Sequence, residues 1–377
     1  MSSVPEKPVL AIAGATGAVG GEILRLLEEG ALPFADLRLL ASRRSVGREI
    51  ELGGETYLVE ELREEAFEGV DLALFSCGGE RSLHFAPKAT QRGCVVVDNS
   101  SAFRMREDVP LVVPEVNPQA LWNEAGGLRS MLIANPNCST ILLVLALSPL
   151  ARAVGLRRVV VSTYQAASGA GAKAMEALQR DLGAGTGQGG HYRGKAWEGL
   201  FPHPLAGNLI PQIDRFLPGG STKEEWKMVV ESQKILGLPD LRLDVTCVRV
   251  PILRSHSEAV TVETRSPLSA EEARELFAGS EGLLVVDQPE ELMYPMPLQA
   301  TGIQEVLVGR VRESGVFDSG ISFFLSGDQL LKGAAWNAVQ IAALLCRAGE
   351  EAGEGGKESN ETNAAKAERG PAEEREA

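Results

Sequence analysis

The sequence predicts an α/β protein of two parts: a doubly wound domain with a parallel sheet, and an α+β domain with a mostly antiparallel sheet. Its 377 residues are enough for two domains. In the first part, short apolar runs of strand length alternate with helical patterns, as in parallel sheets covered by helices. In the second part, longer segments alternate apolar and polar residues, which is typical of strands with one covered face.

The first part begins with an apolar run at residues 9–13, which predicts a buried strand. A glycine-rich loop follows, and then leucines and isoleucine at helical spacing predict a helix over Glu22–Glu29. Further strands are predicted at 37–41, 72–76, 95–97 and 131–134, with a helix over 80–92. Alternation of this kind favours a parallel sheet with helices on both faces.

A long apolar helix, predicted from Ser139 to Ala153, opens the second part. Strands are predicted at 157–165, 241–251, 259–264 and 305–312, and helices at 172–182, 222–236 and 270–278. The helical pattern over 328–346 is long enough to return to the first part. We therefore predict a first domain of residues 1–137 joined by a C-terminal helix at 327–347, a second domain of residues 138–326, and a tail over 348–377.

Composition excludes several classes of function. The formal net charge of −14 disfavours binding to nucleic acid or to an anionic membrane. No apolar run approaches the roughly 18 residues of a membrane span, and the N-terminus has no signal pattern, so we expect a cytoplasmic protein. The acidic tail has little to bury and is expected to be disordered. The glycine-rich stretch Gly183–Gly194 matches no motif.

The five cysteines are widely scattered and include no CxxC pair, so neither a metal site nor a disulfide framework is expected. Cys138 stands apart because it begins the apolar helix after Asn135-Pro136-Asn137. The helix dipole there would favour a thiolate, the reactive form of a nucleophilic cysteine. The alternative is a small core residue, which is the interpretation we give to Cys77, Cys94, Cys247 and Cys346.

The loop from Gly14 to Gly20, between a strand and a helix, is suited to hold a pyrophosphate on backbone N–H groups. Its spacing is GxxGxxG, and a tight turn without ligand is the alternative. The next strand ends in Ser42-Arg43-Arg44-Ser45, where an NAD enzyme would carry an acidic residue. Arginine and serine there favour a 2′-phosphate, and hence NADP. Simple exposed loop arginines are the alternative.

A nucleophilic thiol needs an acid/base partner, and His256 is the best candidate among four histidines. It follows a predicted strand that also carries Arg249, a residue suited to hold a carboxylate. Periodicity alone cannot place His256 beside Cys138, and a surface histidine remains the alternative.

Seven motifs in order resemble the aspartate-semialdehyde dehydrogenase family, over about Pro8 to Leu345. They are Gly14–Gly20, Asn135–Thr140, Tyr164–Gly169, Pro202–Pro204, Asn208–Asp214, Thr222–Lys227 and Arg249–His256. The resemblance implies a cysteine nucleophile at Cys138, an acid/base catalyst at His256, and Gln165 orienting the reacting centre. It implies that Arg249 and Glu224 hold the amino-acid end of the substrate, and that Arg104 and Lys227 hold its phosphate. Cofactor contacts are implied for Thr16, Gly17, Ala18, Val19, Arg44, Ser45, Ser168, Gly169 and Gln329.

The resemblance further implies NADPH-dependent reduction of L-aspartyl 4-phosphate to L-aspartate 4-semialdehyde, on the way to lysine, threonine and methionine, by a homodimer. The nearest rival, N-acetyl-glutamyl-phosphate reductase, gives no reason for the Glu224/Arg249 pair, because its substrate has no free amine. A glyceraldehyde-phosphate dehydrogenase would carry Asn after the cysteine. A non-catalytic NADP sensor would have no need of Cys138, Gln165 and His256 together.

Overall fold

The computed structural model describes residues 4–183 and 199–348. Two sheets organise the chain, and the predicted fold class is confirmed. The predicted acidic tail and almost all of the glycine-rich stretch lie outside the described residues. Within the described ranges, no helix is both long and apolar enough to cross a membrane.

The first sheet has seven strands in the order β3-β4-β2-β1-β5-β6-β7. They are β1 (Val9–Ala13), β2 (Asp36–Ala41), β3 (Glu49–Leu52), β4 (Glu55–Glu61), β5 (Leu72–Phe75), β6 (Val95–Asp98) and β7 (Leu132–Ala134). All neighbours pair in parallel except β3 and β4. The helices α1 (Ala18–Glu28) and α2 (Gly79–Gln91) cover opposite faces. Alternate residues of β1 therefore enter different cores: Ala11 faces the side of α2, and Ile12 faces the side of α1.

The second sheet has six strands in the order β11-β12-β13-β10-β8-β9. They are β8 (Leu156–Gln165), β9 (Arg242–Arg249), β10 (His256–Thr264), β11 (Leu283–Val285), β12 (Val306–Glu313) and β13 (Gly320–Gly327). The three central pairings are antiparallel, and the two edge pairings, β8 with β9 and β11 with β12, are parallel.

Four further helices belong to this half: α3 (Cys138–Val154), α4 (Ala172–Gly183), α5 (Lys223–Leu236) and α6 (Ala270–Ala278). A short α7 (Pro297–Ala300) follows. Helix α3 packs against the sheet and against α5 and α6, and most of its residues are buried. Burial on nearly all sides explains why its sequence is apolar throughout.

The chain then returns to the first sheet. A π-helical turn, Leu331–Ala335, leads into the last helix, α8 (336–348). Lys332 in that turn is fully buried, and its ammonium bonds both oxygens of Glu115 at 2.7 and 2.8 Å. Asn337 and Gln340 also accept hydrogen bonds from it. The buried cation therefore fixes the π-turn against the first domain.

Sequence patterns missed several features of the fold. The hairpin β3–β4 is largely polar, although its turn at Gly53-Gly54, with φ of 60° and 86°, is a recognisable hairpin signal. Strands β11 and β13 and the short helix α7 were not predicted, and β10 begins at His256 rather than at the predicted residue 259. The π-turn was predicted as ordinary helix, because periodicity does not reveal a single-turn insertion.

Candidate active site

A cavity of about 580 Å³ opens between the two halves of the molecule. Its lining includes twelve of the residues singled out in the sequence: Ala18, Val19, Arg104, Cys138, Gln165, Ser168, Gly169, Glu224, Lys227, Arg249, His256 and Gln329. Residues from α1, α3, α5 and the ends of β8, β9 and β10 thus meet at one place. The structure brings the predicted catalytic, substrate and nicotinamide-side residues together.

Cys138 is the first residue of α3, and Asn137 caps that helix. The Asn137 side-chain oxygen accepts a hydrogen bond from the Thr140 N–H at 3.1 Å. Its amide nitrogen donates to Glu224 at 2.7 Å, and its backbone N–H donates to Glu231 at 2.7 Å. Two carboxylates of α5 therefore hold the residue that precedes Cys138.

The charge state of Cys138 differs from the thiolate expected at a helix N-terminus. Burial, reinforced by the Glu224 carboxylate, raises the pKa of the Cys138 thiol to about 12. Arg104, Arg249 and the neighbouring backbone N–H act in the opposite direction but are outweighed. The thiol is therefore neutral at pH 7 in this arrangement.

Ala166, just beyond β8, fixes both His256 and Arg249 through its backbone. Its N–H donates to His256 Nδ1 at 3.1 Å, and its carbonyl accepts from the Arg249 guanidinium. Burial, helped by Arg249, keeps the pKa of His256 well below its usual value, so the ring is neutral. Because Nδ1 accepts a hydrogen bond, the proton of the neutral ring lies on Nε2. Within the described residues, no hydrogen bond joins this ring to Cys138.

One end of the cavity is formed by α5. Glu224 accepts from Gln165 Nε2 at 3.3 Å and from Lys227 Nζ at 3.0 Å. Burial alone would raise the pKa of Glu224, but the Lys227 ammonium and the amide donors lower it below its ordinary value. Lys227 also bonds Asp214 at 3.0 Å, an αL residue with φ of 67° that sequence reasoning did not select. Arg249 lines the same region.

Arg104 is held by three hydrogen bonds and is only 7% exposed. Its guanidinium donates to the carbonyls of Asn135 and Asn99 at 2.9 and 2.8 Å. It also donates to Glu231 Oε1 at 3.1 Å. Since a guanidinium has five N–H groups, two remain for an anion in the cavity. Glu231, Asn99 and Asn135 were not selected from the sequence.

The loop before α1 fits a dinucleotide. Gly14 has φ of 99°, and a Cβ there would lie 2.7 Å from the Ser76 carbonyl oxygen. A Cβ at Gly20 would lie 2.3 Å from the Gly14 oxygen. Among the residues that the structure describes, no side chain caps α1 at Gly17, which leaves its N-terminus available to a pyrophosphate. The glycine spacing is therefore required by close backbone approach.

A second cavity, of about 320 Å³, adjoins this loop and is lined by Thr16, Gly17 and Arg48 among others. Thr16 Oγ1 lies 3.4 Å from Ser45 Oγ, which joins the loop to the 3₁₀ turn after β2. Arg44 is exposed on that turn and lines neither of these two cavities. Arg48 was not selected from the sequence, although it lies only four residues beyond Arg44.

Another wall of the cavity is formed by Gln329 and the π-turn. Gln329 donates to the Ser168 hydroxyl, and its oxygen accepts from the Ser255 N–H at 2.8 Å. Ser255 has φ of 73° and immediately precedes His256, so this contact holds a strained residue in place. A Cβ at Gly333 would lie 2.9 Å from the Cys138 Cβ. Only glycine fits behind Cys138.

Both halves of the chain match known protein families. The family model for the semialdehyde dehydrogenase NAD binding domain matches residues 9–123, and that for the dimerisation domain matches residues 147–332. The aspartate-semialdehyde dehydrogenase of Aquifex aeolicus is 48% identical over 349 residues, 90% of this chain and 98% of that protein. The enzyme of the same name from Synechocystis sp. is 46% identical over 92% of this chain and 99% of that protein. The crystal structure of aspartate semialdehyde dehydrogenase II from Vibrio cholerae superposes with a TM-score of 0.84 at 44% identity, covering 90% of this chain and 99% of that one.

Proposed function

The chain belongs to the aspartate-semialdehyde dehydrogenase family, and from this premise we propose that it reduces L-aspartyl 4-phosphate to L-aspartate 4-semialdehyde with NADPH, through a thioester on Cys138. The observation that carries the proposal is the shared cavity. It places a cysteine at a helix N-terminus among Arg104, Gln165, Arg249 and His256. The product is a precursor of lysine, threonine and methionine.

The chain carries a nicotinamide-dinucleotide-binding domain, and we propose NADP as its natural ligand. The α1 N-terminus, with Thr16, Gly17, Ala18 and Val19, would hold the pyrophosphate. Arg44 and Ser45 would hold the 2′-phosphate, with Arg48 near enough along the chain to contribute, and there is no acidic residue at the end of β2 to repel it. Ser168, Gly169 and Gln329 would position the nicotinamide beside Cys138.

Substrate would bind with its two ends in different charge environments. Arg249 would hold the α-carboxylate, and Glu224 the ammonium group, a pairing that an N-acetylated substrate could not use. Arg104 and Lys227 would bind the phosphate. Gln165 reaches both Glu224 and the Ser139 hydroxyl, so it is held where it can contact the reacting carbonyl.

In the acylation step, the Cys138 thiol would pass its proton to His256 Nε2 as Sγ bonds to the acyl carbon and the carbon–oxygen bond to phosphate breaks. Departure of phosphate would be assisted by Arg104 and Lys227, which offset its charge. When bound, the reduced dinucleotide supplies the hydride that converts the thioester to a hemithioacetal. That adduct collapses to the aldehyde and restores the cysteine.

After it has taken the thiol proton, His256 would donate from Nε2 to the acyl oxygen, where negative charge develops. To accept the thiol proton at Nε2, the ring must adopt the other tautomer and release the Ala166 N–H. Donation is therefore the function that the observed hydrogen bond favours, and acid/base transfer would follow a change of tautomer. The Ser139 N–H, which points at the sulfur, would support the thiolate once it forms.

We further propose a homodimer formed through the second domain. Its sheet exposes Val160 and Leu284, and a cavity of this domain is lined by Tyr294, Met296 and Phe324. All five cysteines are free, which agrees with the cytoplasm as the working compartment.

The test is phosphate-dependent reduction of NADP by L-aspartate 4-semialdehyde, run beside N-acetyl-glutamate semialdehyde. Cys138→Ala tests the nucleophile, and Cys77→Ala is the matched control. We expect turnover with the aspartate compound in wild type and Cys77→Ala, and none in Cys138→Ala. Turnover with the acetylated compound alone would assign the chain to the rival reductase, and NADP binding without any turnover would support the sensor.

A further inference from the structure

Glu231 is a buried carboxylate that touches two parts of the site. It lies on α5 and is 1% exposed. Oε1 accepts from the Arg104 guanidinium at 3.1 Å, and Oε2 accepts from the Asn137 N–H at 2.7 Å. One partner is the proposed phosphate ligand, and the other is the residue that precedes the nucleophile.

Three charged side chains of helix α5 face the site. Glu224, Lys227 and Glu231 are spaced three and four residues apart, so they share one helical face. Glu224 holds the Asn137 side chain and Glu231 holds its backbone. Asn137 is therefore fixed at two points, seven residues apart on α5.

We propose that Glu231 is a positioning residue that holds Arg104 and the N-terminus of α3 as one unit, so that phosphate is aligned with the acyl carbon on Cys138. This inference rests on the proposed function. In the phosphate-dependent direction, a phosphate oxygen bonds to the acyl carbon as the carbon–sulfur bond breaks and Cys138 leaves as a thiolate. A rotated guanidinium would bind phosphate without directing it along that line.

If Glu231 acted only through its charge, its variants would change phosphate binding and kcat differently. Glu231 places a negative charge beside a phosphate ligand, which weakens anion binding. If only its charge mattered, Glu231→Gln would strengthen phosphate binding and leave kcat unchanged, and Glu231→Asp would behave as wild type. If position matters, aspartate fails as well, because it is one methylene too short to reach both partners.

The experiment separates hydride transfer from phosphate attack. Enzyme mixed with L-aspartate 4-semialdehyde and NADP, without phosphate, should give a burst of NADPH as the thioester forms. Phosphate then drives steady turnover. Wild type, Glu231→Gln, Glu231→Asp and Ser232→Ala are compared. Ser232 is the control, because it is buried on the same helix and its hydroxyl has no hydrogen-bond partner among the described residues.

We expect both Glu231 variants to keep the NADPH burst amplitude and the KM for NADP, while kcat for the phosphate-dependent step falls at least tenfold. Ser232→Ala should match wild type. Thermal melting of each variant identifies loss of folding, which would remove the burst and the phosphate step together. Wild-type phosphate turnover in Glu231→Asp overturns the inference, as does loss of both steps in a variant that remains folded. Absence of a burst in wild type overturns the proposed function instead.

Discussion

Replacement of His256 tests whether its Nε2–H donates to the acyl oxygen. The ring is fully buried, and its Nδ1 is occupied by the Ala166 N–H. Removing one donor to a developing oxyanion typically costs about 3–4 kcal/mol, or roughly 10²–10³ in rate. We expect that loss of kcat in His256→Ala. In His256→Gln, an amide N–H near the position of Nε2 should recover up to about tenfold, since a neutral hydrogen bond contributes about 0.5–1.5 kcal/mol.

The assay is phosphate-dependent NADP reduction between pH 6 and 9, with His84→Gln as control because His84 is exposed on α2. Since the pKa of His256 lies well below its usual value, its titration should produce no acidic limb near pH 6.5 in kcat/KM. The donor interpretation is refuted if His256→Gln is as inactive as His256→Ala. A limb near pH 6.5 that disappears in the glutamine variant would refute it independently.

Three further predictions concern the surroundings of the site. Gly333→Ala should lower kcat at least tenfold and slow alkylation of Cys138, because the added methyl would lie 2.9 Å from the Cys138 Cβ. Labelling followed by peptide mass spectrometry measures the alkylation rate, and an unchanged rate would contradict the prediction. Arg44→Glu should raise the KM for NADP about tenfold or more and leave the KM for NAD unchanged, as steady-state kinetics with both cofactors would show. An equal change in the two KM values would show that Arg44 does not bind the 2′-phosphate. Glu258 is fully buried without a partner for either oxygen within the described chain, and burial holds the pKa of its carboxyl well above the usual value. The native state therefore keeps a proton that the unfolded state releases above about pH 4.5. Wild-type stability should fall with rising pH relative to Glu258→Gln, by up to about 1.4 kcal/mol per pH unit until the raised pKa is reached. Urea unfolding at several pH values measures this difference, and a constant difference would contradict it.

Local sequence was sufficient to predict the fold class and the main elements. The apolar run of β1, the glycine loop and the apolar helix after Asn137 each carry a pattern that depends only on neighbours in sequence. Motif resemblance then selected residues that the structure places in one cavity, including Cys138 and His256.

The rest depends on contacts between distant residues. Glu231 reaches Arg104 across 127 positions, and Lys332 reaches Glu115 across 217. No local pattern distinguishes a buried glutamate on an amphipathic helix from a solvated one. A signal did exist for Glu231, since it shares a helical face with Glu224 and Lys227. The raised pKa of Cys138 was also unpredictable, because it depends on burial and on Glu224 rather than on the helix end alone.

The return of the chain to its first sheet has a consequence for synthesis. The core beside α1 contains Leu331, Ala338 and Ile341 from the π-turn and α8, together with Ile12 and Leu74 from the sheet. On the ribosome, β1 to β7 emerge roughly 200 residues before α8, a delay of about 10–40 s at ordinary elongation rates. The entire second half is made while one face of the first sheet lacks its final layer. We expect the nascent first half to depend on chaperones until the last helix is released.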